Sequence, residues 1–543
     1  MPASPDNATI ADRLEELAAL LDLAGAGPYS VRAYRRAAEL VRASPASVAE
    51  LVRRGEARRL RGIGPAIEAR LVELVKTGGL AELEELERET APQLVAIGRL
   101  AGIGARRMAE IGRDLGVSTV DQLREAAAAG RLGEARGIGP QTEARLRAAL
   151  ERPVEPVAAR PLLLPRAREL TLGIAEALGG EIAGDARRWR DACERLAVVC
   201  SAPGPGAVLD RFASLSQIVA VVERSERRAL GVTVEGVPVE LLVPAPERHG
   251  TELLRATGSR EYVAALEPLP EGPDEESVYR ALGLEWRPPE LREEPSREPP
   301  PAGLLELGDI RGDLHCHTTW SDGRASVVEM GRAARELGYE YLAICDHTRA
   351  VRVVPGVDGD DLRRQAEQIA AANDELAPFR VLRGAECDIL PDGSLDLPDD
   401  VLATLEWVQV SLHAGQRTPR EELTRRVEEA MRHPAARCLS HPTGRLIGHR
   451  PPNALDVERI VEVALETGVA LEVNGLANRL DLRDEHVRLA VEAGARIVCS
   501  TDAHSTRGLG NMELSVATAR RGAARGTDVL NTRPLADLMR RGR

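Results

Sequence analysis

From residue 308 to the end of the chain, short apolar runs alternate with amphipathic helical stretches. The runs read DLHCH, YLAICDH, FRVLRGAECDI, WVQVSLHAG, RCLSHP, ALEVNG and RIVCSTDAHS. Strands alternating in this way with helices predict an α/β barrel-type domain. Nearly every run closes on a histidine or an acid: DLHCH, CDH, GAE, SLH, SHP and STDAH. In barrel folds the C-terminal strand ends converge on one face. His315, His317, Asp322, His347, Glu386, His413, His441, Asp502 and His504 can therefore meet although they are far apart in sequence. His315 and His317 stand at i and i+2, so they point to one side if the strand runs through them. Asp502 and His504 repeat that spacing.

The chain has only 10 histidines. A lone histidine is more simply a strand cap or a hydrogen-bonded core residue, and His433, His449 and His486 fit no strand end. The six histidines at strand ends point instead to a metal centre. Imidazole suits Mn²⁺, Zn²⁺ or iron, and carboxylates can bridge two cations, whereas Mg²⁺ favours oxygen ligands. Two or three cations in one cup would activate a water and neutralise a phosphate.

Residues 8–150 have a different pattern. Apolar residues recur at three and four positions, as in helices, and three glycine turns punctuate them: LRGIGPAIEARL (60–71), LAGIGARRMAEI (100–111) and ARGIGPQTEARL (135–146). Glycine lets the backbone approach a phosphate closely, and the following helix N-terminus offers free N–H groups to the anion. Arg70, Arg106, Arg107 and Arg145 follow these turns, and Arg32, Arg35 and Arg36 add charge near the first. The candidate phosphate contacts are Gly62, Gly64, Gly102, Gly104, Gly137, Gly139, Arg106 and Arg107. A net charge of −13 argues against indiscriminate binding to nucleic acid.

Prolines at 153, 156, 161 and 165 mark a linker. The stretch to about 292 mixes helices with short strands (LAVVCSA, QIVAVVE and ALGVTVEGVPVELLVPA), with a hairpin signal at Glu235-Gly236. PPELREEPSREPPPAG (288–303) is rich in proline and glutamate. The expected division is a helical region with the phosphate-contacting turns over 1–152, a middle region over 153–298, a linker over 299–307 and a metal-dependent domain over 308–543. Seven scattered cysteines without CxxC pairs predict reduced thiols in a cytoplasmic protein. The chain shows no apolar run long enough to span a membrane.

HCHTTWSDG, CDHT, GAECDI, SLH, SHPTGR, EVN and STDAHS together resemble the PHP (polymerase and histidinol phosphatase) domain. That resemblance implies a distorted (β/α)₇ barrel with a trinuclear site. It places His315, His317, Glu386 and Asp502 on one metal, with Glu386 bridging to a second held by His413 and His441. Asp322, His347 and His504 would hold the third. Arg445, in HPTGRL, is a candidate phosphate clamp, because guanidinium matches phosphate bidentately. The three glycine turns resemble helix-hairpin-helix motifs, which bind the DNA backbone without reading sequence.

The order of these parts resembles a bacterial family X DNA polymerase over essentially the whole chain. This implies an α+β nucleotidyltransferase-like middle, with a nucleotide turn at TGSR (257–260) and Gly184, Arg188, Gly258 and Ser259 as nucleotide contacts. Such a polymerase needs two aspartates flanking one residue and a third on a later strand, to hold two Mg²⁺. Here those positions read Arg195, Ala197 and Glu240, so templated synthesis is not expected to survive. A lyase lysine is not expected either, since Lys76 is the chain's single lysine. The expectation is a monomeric, DNA-binding, metal-dependent phosphodiesterase acting at the 3′ ends of gapped or recessed duplexes. The alternatives are a gap-filling polymerase, a small-molecule phosphatase and a non-catalytic DNA-binding scaffold.

Overall fold

A computed structural model describes the chain apart from residues 1–6, 24–25, 43, 45–46, 61, 84–85, 87–93, 95–96, 99–102, 104, 137, 152–160, 353 and 541–543. The expected boundary at 152–153 lies outside the described residues, as do Gly102, Gly104, Gly137 and the Arg106 side chain. Among the described residues no helix is long and apolar enough to cross a membrane. All seven cysteines are free and buried.

The N-terminal region is all helical. Helix Pro28–Arg42 buries Val31, Ala37, Ala38 and Val41, the spacing of one amphipathic stripe. Gly62 takes φ +108°, a value that needs glycine, and Gly64 then caps helix Pro65–Thr77, which begins with proline. The helical core does not close on itself. It continues onto Ala220, Val222, Leu230 and Val232 of the middle region. Ion pairs seal that junction: Arg42 bridges Asp12 at 2.7 Å and Glu169 at 2.7 Å, and Arg166 joins Glu15 and Glu235.

The middle region is a five-stranded sheet of β1 (Glu181–Ala183), β2 (Leu196–Val199), β3 (Ile218–Arg224), β4 (Arg228–Thr233) and β5 (Pro238–Leu242). Its order is β1-β2-β5-β4-β3, with only β2 and β5 parallel. The predicted hairpin joins β4 to β5, and Gly236 sits in the turn at φ +73°.

Ionic contacts tie this region to the next one. Arg521 donates to Glu293 at 2.9 Å and to Asp484 at 2.6 Å. The final residues of the expected linker already belong to the barrel: Leu305 is fully buried, and its N–H donates to the Ala524 carbonyl at 3.0 Å. One buried triad can be tested directly. Arg292, 0 % exposed, and Arg187 both hold the Glu275 carboxylate, at 2.5 and 2.7 Å. Burial alone would raise the Glu275 pKa, but the two guanidiniums prevail and hold it at about 2, against an ordinary 4.5. Because the folded value is depressed, the triad's stabilisation is complete above the ordinary value and is lost as pH falls towards about 2. Glu275→Gln is expected to cost about 3 kcal/mol by leaving two buried cations half-paired. The check is thermal unfolding at neutral pH and again in acid, where wild type and variant should converge.

The C-terminal region is the predicted α/β barrel. Its strands are β6 (Gly312–Cys316), β7 (Tyr341–Ile344), β8 (Arg380–Asp388), β9 (Trp407–Ser411), β10 (Cys438–Leu439), β11 (Ala470–Asn474) and β12 (Ile497–Ser500). They form one parallel sheet in chain order. The ends nearly close: the His317 N–H donates to the Ala503 carbonyl at 2.8 Å, and a single bridge links Cys316 to Ala503. Apolar side chains from both faces make the near-continuous hydrophobic runs seen in the sequence.

Candidate metal centre

The strand ends bring the expected ligands together at one mouth of the barrel. Glu386, fully buried on β8, is the hub. Its Oε1 lies 2.8 Å from His441 Nε2 and 3.5 Å from His413 Nε2. Its Oε2 lies 2.7 Å from His347 Nδ1, 3.5 Å from His315 Nε2 and 3.7 Å from His317 Nε2. His317 Nε2 meets Asp502 Oδ1 at 3.0 Å. Asp322 completes the outer side, 3.7 Å from His347 Nε2 and 3.3 Å from His504 Nε2.

Three groups of ligand atoms lie within 4.8 Å of one another: His315, His317 and Asp502; His347, Glu386 and His413; and His317, Asp322, His347 and His504. These differ from the implied sets in detail, since His317 and His347 are each shared between two groups. The donor set fits divalent cations. His315 Nε2 and His317 Nδ1 are buried and, among the described residues, have no hydrogen-bond partner, an arrangement that costs free energy unless a cation satisfies the site. His441 and Asp502 adopt positive φ, 26° and 52°, and non-glycine residues in that region are held there by their surroundings.

Charge in this cup is tightly balanced. Burial would raise the pKa of Glu386 and Asp502, but the surrounding imidazoles hold both well below the ordinary carboxylate range. Burial would lower His347, yet Glu386 pulls it up to about 9. A cation entering the site must therefore displace protons, which ties metal uptake to pH.

The sequence reading missed the residues that orient these ligands. Glu472, on β11, accepts from His315 Nδ1 at 2.6 Å and from the His441 N–H at 2.6 Å. This turns His315 Nε2 towards the hub, the usual task of a carboxylate behind a ligand histidine. Asp388 does the same for His413 Nδ1 at 3.1 Å. Asp346 accepts from the Thr318 N–H at 2.8 Å, its Oγ1 at 2.6 Å and Ser321 Oγ at 2.5 Å, fixing the loop that carries Asp322. A signal for them existed. Glu386 with Asp388 and Glu472 with Asn474 are polar pairs at i and i+2 inside apolar strands, so each pair shares a face. Glu472→Gln is expected to lower metal affinity about 10- to 100-fold without unfolding the barrel. Titration against a competing chelator, beside circular dichroism, checks both halves.

Arg445 does not match its expected role. Its Nε donates to the Arg479 carbonyl at 2.8 Å, and its two terminal nitrogens to the Leu480 carbonyl at 2.5 Å and to Asp191 at 2.8 Å. It ties the barrel to the middle region and offers a phosphate little. Arg479 is nearer the centre, with Nε buried, without a hydrogen-bond partner and 3.7 Å from Asp502 Oδ2.

In the middle region Ala197 and Glu240, two of the positions at which the resemblance implied acids, stand opposite each other across β2 and β5. Arg195 is exposed, and Glu240 is taken up by Arg228 at 2.6 Å. Of the expected nucleotide contacts, Arg188 and Ser259 are taken up by other groups of the protein. Arg188 donates to Glu293 at 2.9 Å, to Asp185 at 2.6 Å and to the Thr257 carbonyl at 2.5 Å. Gly184 sits at φ +66°, and Ser259 caps helix Arg260–Leu266. A side chain at Gly258 would clash with Val263 and Tyr262, which accounts for that glycine by packing. Among the described residues, every group that could hold a metal lies in the barrel.

In the N-terminal region Gly62 and Gly64 form the first turn. Arg107 is spent locally, on Glu110 at 2.9 Å and on the Arg136 carbonyl.

Residues 5–80 match the model of a helix-hairpin-helix domain. The chain is 32 % identical to the DNA polymerase/3′-5′ exonuclease PolX of Bacillus subtilis, over 97 % of each chain. It is 30 % identical to a probable phosphatase of Acetivibrio thermocellus, over 37 % of this chain and 82 % of the relative. A probable phosphatase of Aliivibrio fischeri is 28 % identical over 38 % of this chain and 82 % of its own.

Proposed function

Because the chain belongs to the PolX family of DNA polymerase/3′-5′ exonucleases, we propose that it is a DNA-binding, metal-dependent phosphodiesterase that removes nucleotides from 3′ ends and has lost templated synthesis. The observation that carries this is the contrast between its two sites. The barrel keeps a full set of ligands around Glu386, while the middle region has Arg195, Ala197 and an ion-paired Glu240 where a polymerase needs acids.

His315, His317, Asp322, His347, Glu386, His413, His441, Asp502 and His504 would hold up to three cations, Mn²⁺ or Zn²⁺ by ligand type. Bound cations supply water activation and charge neutralisation at a phosphodiester. The chain's own part is positional. Glu472 and Asp388 aim the imidazoles. Arg479, beside Asp502, offers a guanidinium to a non-bridging phosphate oxygen. Asp322 and His504 lie on the more open side, with side chains 24 % and 32 % exposed, and mark where substrate enters.

Residues 1–152 supply backbone contacts to gapped or 3′-recessed DNA through Gly62, Gly64, Gly102, Gly104, Gly137, Gly139, Arg106 and Arg107. Residues 153–298 hold this module and the 308–543 barrel in one orientation. The protein works as a monomer in the cytoplasm.

The test is Mn²⁺-dependent release of nucleotides from a 3′-recessed duplex. His315→Ala should reduce it by about 10²-fold or more, and undiminished activity in that variant would remove the metal-site claim. The matched phosphatases favour a second reading, hydrolysis of a small phosphate ester. A small ester hydrolysed faster than the recessed duplex by the same preparation would select it.

A further inference from the structure

The end of the barrel opposite the metal centre carries a cavity of about 620 Å³. Its wall is made where four neighbouring strands begin. Trp407 is the first residue of β9, Arg437 immediately precedes β10 and Arg496 immediately precedes β12. Arg432, Arg533 and Arg540 complete the basic lining, and among the described residues no aspartate or glutamate lines the cavity. Five guanidiniums around one concavity stand out in a chain whose net charge is −13.

Their bonding separates supports from free donors. Arg432 pairs with Glu466 at 2.7 Å, and Arg540 with Asp537 at 3.4 Å. Arg437 donates to the Leu538 carbonyl at 3.2 Å and lies over the Trp407 ring. Arg496 spends one donor on the Thr527 carbonyl. The Arg533 guanidinium meets no acceptor among the described residues. A separate donor points the same way: Trp407 is 1 % exposed, and its buried indole N–H has no acceptor.

A concave surface lined by one sign of charge focuses potential and concentrates counter-ions. The lining offers almost only donors, so its complement is a ligand rich in acceptors. Guanidinium forks match phosphate oxygens in pairs. The volume suits a small molecule and not a duplex, and the buried Trp407 ring cannot stack on a base. We propose that this cavity is a second anion site, for a diphosphate group that is free or carried on a nucleoside. It is separate from the metal centre by position, and its ligand needs no cation from that centre.

The test uses the full chain, freed of metal with a chelator so that pyrophosphate has no cation to join at the other face. Calorimetric titration with pyrophosphate is expected to give a Kd below about 1 mM. The double variant Arg496→Gln/Arg533→Gln should weaken binding at least about tenfold, while keeping wild-type Mn²⁺-dependent 3′-end hydrolysis once metal is restored. Arg533→Lys, which keeps the charge and loses the fork, should fall between the two. A parallel titration with ADP assigns the source: tighter binding than pyrophosphate means a nucleoside-borne group, weaker binding the free anion. No binding of either probe at millimolar concentration, or binding unchanged in the double variant, overturns the proposal. So does a single-stranded oligonucleotide that binds at these arginines when pyrophosphate does not.

Discussion

Glu386→Gln is expected to strip the barrel of most of its bound metal and to lower 3′-end hydrolysis by at least about 10³-fold. The substitution keeps the shape of the side chain and removes its charge. That charge is what four histidines within 3.5 Å face: His441, His413, His347 and His315. No other acid in the cup is shared so widely, since Asp502 serves chiefly His317 and Asp322 chiefly His504. His315→Ala removes one ligand from one group, whereas Glu386→Gln removes the charge that four of the histidines face. The glutamine variant should therefore lose more metal per protein than the alanine variant. Elemental analysis of the purified proteins, beside the nuclease assay, measures both. Full metal content in Glu386→Gln would show that the hub assignment is wrong.

The second large effect is an absence of synthesis. On gapped duplex, with dNTPs and either Mg²⁺ or Mn²⁺, primer extension is expected to fall at least about 10³-fold below that of a polymerase with intact acids. The assay belongs in the His315→Ala background, where degradation of the primer cannot hide extension. The physical reason is twofold. A cation pair needs carboxylates, and β2 supplies Ala197 with Arg195 before it. The one remaining acid, Glu240, is neutralised by Arg228 at 2.6 Å. Arg188, expected at the nucleotide, is already bonded to Glu293, Asp185 and the Thr257 carbonyl. Restoring acids with Arg195→Asp/Ala197→Asp alone should not recover extension, because those internal pairs would remain. Processive incorporation by the His315→Ala protein would refute this reading.

Much of this was legible along the chain because barrel strands are local units. A short apolar strand that runs into a histidine or an acid declares both its element and its candidate ligand. The strand order follows from parallel alternation, and convergence of the strand ends follows from closure. The hairpin at Glu235-Gly236 and the first glycine turn at Gly62 were similarly local, since each depends on one glycine at positive φ.

Some contacts were not legible. Glu472 and Asp388 lie inside strands, where a polar residue gives no hint of which ring it will meet. Arg445 sits in a loop beside the metal ligands, and only the docking of the middle region shows that Asp191 and two carbonyls take its donors. The arginines of the second cavity come from separate segments of the chain, and no spacing connects them.

The sequence by itself determined the barrel, the histidines and acids at its strand ends, and the Arg195 that precedes β2 and the Ala197 within it, because each is written in residue identity and short-range periodicity. The tertiary structure alone decided which of those side chains meet, which acids orient them, and which arginines gather around one cavity. Those outcomes depend on distances of a few ångströms between segments up to hundreds of residues apart, and only packing sets such distances.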